Sequence, residues 1–204
     1  MSKTSKVKGD SAERELVRIL SSHLGGSFIR TPGSGSYVGG SNAVRKHVLS
    51  EGQVASRRGD ITPPDHLPGL VIESKSYAEF RFHQLMTPGG CPQLDAWLAQ
   101  TVAGASPGDL CLTCFKIVRR GWYVAVPEHQ WVLGNHARYQ SADGLVIITG
   151  LEGWLRDNAE MVLALASWWR IMNSTKFDIN SVGGSSPYLS NSTRYRSRVA
   201  TIVA

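Results

Sequence analysis

The chain is poor in cysteine, lacks a long apolar run and carries fewer acidic than basic residues. Three cysteines in 204 residues are an odd number and too few for a disulfide framework, which fits a reducing compartment. Two of them, Cys111 and Cys114, have metal-like spacing, but no second Cys or His pair follows at finger distance. They read either as a zinc pair or as alternate positions in a buried strand. The first ten residues, MSKTSKVKGD, are polar and basic and lack the apolar centre of a signal peptide. The longest apolar stretch, Met161 to Met172, falls short of the roughly 20 residues a bilayer requires. No basic amphipathic helix suits a membrane surface, and no internal repeat is visible. These absences point to a soluble, cytoplasmic protein without a membrane partner.

What remains supports a folded, basic domain. The hydrophobic fraction is 42%, enough for a core, and the length suits one compact domain with additions. Lys plus Arg number 22 against 16 for Asp plus Glu, giving +6 and a partner preference for polyanions such as nucleic acid.

Residues 1–9 read as a flexible basic arm. Asp10 or Ser11 caps a helix to about His23, with Ala12, Leu16, Ile19, Leu20 and Leu24 at helical spacing. A short strand over 27–31 leads into a long Gly/Ser-rich loop, 34–59, containing Arg45, Lys46, Arg57 and Arg58. Strands are expected at 60–62 and 69–76, joined by PPDHLPG, and another at 78–86. Pro92 to Ala103 reads as a helix with Leu94, Trp97, Leu98 and Val102 on one side. A strand pair follows around Arg119-Arg120-Gly121, then a strand at GLVIIT. The core therefore spans 10–150, with a C-terminal helix at 151–172 and a Ser/Asn/Arg-rich extension at 173–204. The order of elements predicts an α/β fold with a mixed central sheet flanked by helices.

Side chains alternate along a strand, so Val71, Glu73 and Lys75 share a face. A carboxylate beside an amine at the end of an apolar strand suits a site where a divalent cation meets a phosphate. Glu73 offers hard oxygen to Mg²⁺, and Lys75 offers charge to a phosphorane or orients a water. The plain alternative is an ion pair at a sheet rim. A second carboxylate is needed, and two are near. Asp65 sits among Pro63, Pro64 and Pro68, a turn composition. Asp60 starts its strand, and in an antiparallel pair the start of one strand meets the end of the next, so Asp60 is favoured. In the first helix Glu13 projects into the apolar arc, either as the far half of a capping box from Asp10 or towards a metal or its water.

KGDSAERELV, RTPGSGS, GDI and VIESKS together resemble the archaeal-type Holliday-junction resolvases of the PD-(D/E)xK, restriction-endonuclease-like, nuclease superfamily. The matching elements are Lys8-Gly9 with Glu13-Arg14, Arg30 with Ser34-Gly35, Asp60-Ile61, and Ile72-Glu73-Ser74-Lys75, in family order over about residues 8–118. The resemblance implies that Asp60 and Glu73 bind Mg²⁺ or Mn²⁺, with Glu13 contributing directly or through water. It implies that Lys75 positions the nucleophile, that Arg30 contacts a phosphate and that Ser34 lies near the scissile strand. Gln93 stands where many superfamily members carry a supporting glutamine. A homodimer cutting opposed strands of a four-way DNA junction is also implied. Gly59 replaces the family's proline, the 34–59 loop is much longer than the family's, and residues 120–204 have no family counterpart. Arg45, Lys46, Arg57 and Arg58 suit a grip on DNA, as do Arg194, Arg196 and Arg198. Trp168 and Trp169 read as core or dimer contacts.

A compact resolvase with its own C-terminal region suits a phage, a mobile element or an archaeal genome; in a phage it would act in the host cytoplasm. The competing readings are a restriction-like or flap-processing nuclease and a DNA-binding protein with an inert nuclease fold. The intact set Asp60, Glu73 and Lys75 argues against the last.

Overall fold

The computed structural model describes residues 3–31, 58–106, 108–128, 135–142 and 144–174, with side chains described between residues 9 and 165 of that set. One compact unit spans Met1–Ile171; of the second, Met172–Ala204, only residues 172–174 are described. Ser34, Arg45, Lys46, Arg57, Arg194, Arg196 and Arg198, and the side chains of Trp168 and Trp169, lie outside the described residues.

Helix α1 is Lys3–Leu24, strand β1 Ile29–Arg30, β2 Ile61–Thr62 and β3 Leu70–Tyr77. A short 3-10 turn at Phe82–Met86 precedes α2, Pro92–Gly104. Then come β4 (Leu110–Ile117), β5 (Gly121–Pro127), β6 (Ala137–Ser141), β7 (Gly144–Gly150) and α3 (Leu151–Ser174). The strands form a seven-stranded sheet in the order β1-β2-β3-β4-β5-β7-β6. Only β3 and β4 run parallel. This is the mixed α/β architecture expected from the sequence.

The two faces follow from the alternation in β3 and β4. Leu70, Ile72, Leu112 and Cys114 join Leu16, Leu20 and Leu24 of α1 and Leu151, Trp154, Leu155 and Val162 of α3 in one core. Phe115 and Ile117 pack on the other face with Leu94, Trp97 and Leu98 of α2. Each large buried aliphatic side chain contributes roughly 1.5–3 kcal/mol. Cys111 and Cys114 are three apart on β4 and so point to opposite faces; both are buried and free, as the strand reading required and a shared zinc would not allow.

Several local readings change. The helix begins at Lys3, taking in residues assigned to a basic arm, so Asp10 stands inside the helix and cannot be its cap. Residues 78–86 hold a 3-10 turn instead of a strand. Phe80 and Phe82 there meet edge to face with centroids 4.8 Å apart, and Phe80 packs on Trp97 and Phe115. On α2 it is Thr101 that is buried, while Val102 is 48% exposed. The Thr101 hydroxyl bonds the Trp97 carbonyl at 3.0 Å and meets the Thr113 hydroxyl at 2.7 Å, so its polarity is satisfied inside. Strand β6 had no apolar alternation to announce it. It is held at the sheet edge by Tyr139, whose hydroxyl accepts from the Cys91 amide at 2.8 Å and donates to Asp95.

The hairpin β2–β3 positions the site. Ile61 pairs Ile72, and the Asp60 amide donates to the Ile72 carbonyl at 2.8 Å. The PPDHLPG connection closes with Leu67 N–H to Pro64 C=O at 2.8 Å, and Asp65 lies exposed in this turn, at the far end from Glu73. Gly59 has φ +64°, and a Cβ there would lie 2.4 Å from the Ile72 carbonyl oxygen. A proline, with φ locked near −65°, cannot take this conformation, so the departure at Gly59 is a requirement of this hairpin. Gly59→Ala is expected to destabilise the protein by about 1–3 kcal/mol, from left-handed backbone strain and the carbonyl clash. Urea unfolding measures it; a change under 0.5 kcal/mol, within the usual range for surface substitutions, would contradict this conformation.

Candidate active site

Three chain segments converge on the Glu73 carboxylate. Glu73 lies in the first half of β3, where both faces of the strand are covered, and is 3% exposed. Asp60, 8% exposed, stands across the hairpin, and its Oδ2 accepts from the Ser74 amide at 2.9 Å. Lys75 shares Glu73's face, and its Nζ donates to Glu73 Oε1 at 2.5 Å. The third contributor comes from α2: Gln100 Nε2 donates to the same Glu73 oxygen at 2.5 Å, while its Oε1 accepts from Lys75 Nζ at 2.9 Å.

Gln100 is the residue that sequence reasoning missed in favour of Gln93. The reason is the direction of the helix. β3 and β4 are parallel, so α2 returns antiparallel to both, and its C-terminal half lies over the early part of β3. Gly104 accordingly approaches Val71, within 3.7 Å of its Cγ1 if given a Cβ. Gln93 lies seven residues earlier, about 10 Å nearer the other end of α2. The signal was available in a strand–helix–strand unit: a glutamine one turn beyond the inward-facing Trp97, on the helix half that returns to the acidic end.

The electrostatics of the pair are unfavourable without a cation. Burial pushes the Glu73 carboxyl up to about 7, the Asp60 charge pushes the same way, and Lys75 opposes both. Two buried carboxylates side by side form a hard-oxygen donor set, and a proton held near neutrality is one a divalent cation can displace. The residues therefore fit such a cation. Among the described residues no three His, Cys, Asp or Glu side chains group as a metal cluster, so Asp60 and Glu73 would be its carboxylate ligands.

Glu13 and Arg30 are occupied with each other. Arg30 Nε donates to Glu13 Oε2 and its Nη2 to Asp10 Oδ1, both at 2.6 Å. Asp10 and Glu13 thus clamp a guanidinium instead of forming a capping box, and Arg30, a third exposed, is paired with both carboxylates. Burial raises the Glu13 carboxyl, against the pull of Arg30, and the Asp60 charge adds to the rise, so Glu13 is within electrostatic range of the pair. Arg58 is likewise internal: its Nη1 donates to Asp109 Oδ2 at 2.8 Å, with the two side chains 17% and 0% exposed. It anchors the start of the hairpin to the α2–β4 turn. Exposed positive charge near the site comes instead from Arg14 and Arg18, which line an open groove with Val17, Ile29 and Arg30. Glu15, at the edge of the apolar arc, bridges Lys116 at 2.5 Å and the Trp122 indole at 2.9 Å, fastening α1 to β4 and β5.

A mixed sheet that carries an aspartate at the start of one strand and Glu-x-Lys on its antiparallel neighbour has the layout of a PD-(D/E)xK nuclease with a restriction-endonuclease-like fold. Residues 4–174 match the family described as "Phage putative PDDEXK endonuclease", and the chain belongs to that family. The match supports a nuclease and a phage source, and it does not carry the narrower resolvase class that the motifs resemble. No curated protein and no solved structure matches the chain. No described helix is long and apolar enough to cross a membrane.

The raised Glu73 carboxyl sets a pH dependence. Between its unfolded value of 4.5 and about 7 the folded protein holds a proton that the unfolded chain has released. Cation-free stability therefore falls as pH rises through that window, by on the order of 3 kcal/mol if Glu73 acts alone. Glu73→Gln should flatten the fall. Adding Mg²⁺ above about pH 7 should raise the wild-type melting temperature and leave the variant unchanged; equal responses from both proteins would remove Glu73 from cation binding.

Proposed function

We propose that the protein is a divalent-metal-dependent DNA endonuclease that hydrolyses phosphodiester bonds at Asp60, Glu73 and Lys75. The observation that carries this reading is the buried Asp60–Glu73 pair with Lys75 and Gln100 hydrogen-bonded to it. Mg²⁺ or Mn²⁺ held by the two carboxylates would supply Lewis acidity and charge neutralisation at the phosphate. The chain's own groups do the rest. Lys75 presents its ammonium beside the phosphate position, where it orients a water and offsets charge building on the phosphoryl oxygens. Gln100 restrains both Lys75 and Glu73, so the amine stays aimed while the carboxylate serves as ligand. Glu13, within electrostatic range of Asp60, would contribute to cation binding directly or through a water. Arg14 and Arg18 meet the DNA backbone through the groove beside α1, so binding should weaken steeply with salt.

Branched DNA, and a four-way junction in particular, is the substrate we favour within this reading. It is supported by the order and spacing of the motifs at Lys8-Gly9, Glu13-Arg14, Arg30, Asp60-Ile61 and Ile72 to Lys75. Two symmetric cuts would require a homodimer. The alternative within the same chemistry is a restriction-like or flap-processing nuclease.

Asp60→Ala and Glu73→Ala should each lower cleavage by 1000-fold or more, on the order expected when a catalytic group is removed, while leaving DNA affinity within a few-fold. Cleavage by either variant at the wild-type rate would overturn the site. The same assay on junction, flap and duplex DNA with Mg²⁺ or EDTA separates the substrates: paired symmetric cuts confined to the junction support resolution, and cutting of flap or duplex alone replaces it.

A further inference from the structure

Tyr77 is a large aromatic side chain that the proposed chemistry does not use, and its placement is unusual. It is the last residue of β3 and 41% exposed. By strand parity it lies on the face of Glu73 and Lys75, two residues or about 7 Å of backbone beyond Lys75. That distance is about two base steps of a DNA strand at 3.4 Å each. The ring is not loose. It packs against Trp97 of α2 with centroids 5.0 Å apart and planes at 33°. Trp97, itself 5% exposed, rests on Phe115 at 5.5 Å, and Phe115 stacks on Tyr123 at 5.4 Å. An aromatic column thus runs out of the core and ends at Tyr77, an exposed ring on the face of Glu73 and Lys75. Its outer members are fixed by β3 and α2, the same two elements that fix Lys75 and Gln100. The backbone is fixed as well: the Tyr77 carbonyl accepts from Val118 N–H at 3.0 Å.

From this geometry we infer that Tyr77 is a stacking platform for an unpaired nucleobase next to the scissile phosphate. The inference rests on the endonuclease reading above and names the feature of the DNA that the site selects. Every base has an apolar face, so such a platform is tolerant of sequence. Inside a duplex those faces are covered by neighbouring bases. Only a base freed at a branch point, a flap or a single-stranded end can lie on Tyr77. The platform therefore favours DNA with unpaired bases beside the cut, and it does so by shape.

The test uses the full-length protein and oligonucleotides carrying 2-aminopurine at each of the three positions on either side of the mapped cut, in EDTA so that no strand is cleaved. Binding of wild type should quench one position strongly in flap or junction DNA and none in duplex. Tyr77→Phe should keep the quench. Tyr77→Leu, which still covers Trp97, should lose it and bind branched DNA about tenfold more weakly, with a smaller change on duplex. An unchanged quench in Tyr77→Leu, or equal weakening on both DNAs, overturns the inference. Should Tyr77→Leu not fold, photocrosslinking of wild type to 5-iodouracil at the same positions decides: a crosslink mapped to Tyr77 supports the platform, and crosslinks that avoid it reject it. Cleavage with Mg²⁺ but without quench or crosslink removes the platform and leaves the endonuclease standing. No cleavage of any DNA removes the endonuclease reading and, with it, the scissile phosphate beside which the platform is placed.

Discussion

The rest of this structure is arranged around the burial of two like charges next to each other. Asp60 and Glu73 come from opposite strands of one hairpin and are both nearly out of solvent. Burial first, and the neighbouring Asp60 charge second, push the Glu73 carboxyl up to about 7. Folding tolerates the arrangement because donors surround it: the Ser74 amide on Asp60, and Lys75 with Gln100 on Glu73.

Each neighbouring element answers to that constraint. Gly59 takes a left-handed conformation so that the chain can pass the Ile72 carbonyl and deliver Asp60. The parallel β3–α2–β4 unit sends α2 back over the start of β3, which carries Gln100 to Glu73 and Trp97 to Tyr77. On the other face, α1 is tied down by Leu16 and Leu20 in the core and by Glu15 on Lys116 and Trp122. That anchoring holds the Asp10–Glu13–Arg30 clamp beside β1. Arginines that look alike in the sequence therefore have different surroundings: Arg30 and Arg58 are paired with carboxylates, while Arg14 and Arg18 are exposed.

Much of the site was legible because its chemistry is local. Strand alternation puts Glu73 and Lys75 on one face, and the antiparallel rule selects Asp60 over Asp65; the register Ile61 to Ile72 agrees with both. The mixed sheet follows from the order of apolar segments. Less legible were partners separated by many residues. Arg30 reads as free until Asp10 and Glu13, on another element, are found against it. Gln93 looks well placed until the direction of α2 is known. Strand β6 has too little apolar pattern to stand out; it is placed by antiparallel pairing with β7 and by Tyr139 bridging Cys91 and Asp95.

The sequence by itself determined the residue types, the strand that carries Glu-x-Lys, the aspartate that faces it and the class of fold, because each depends on spacing within one or two neighbouring segments. Only the tertiary structure decided which charges are neutralised internally, which glutamine joins the site, why residue 59 is glycine and that an aromatic column ends at Tyr77. These depend on the packing of helices across a sheet, where residues far apart in the chain meet and their charges and ring faces are either covered or left open.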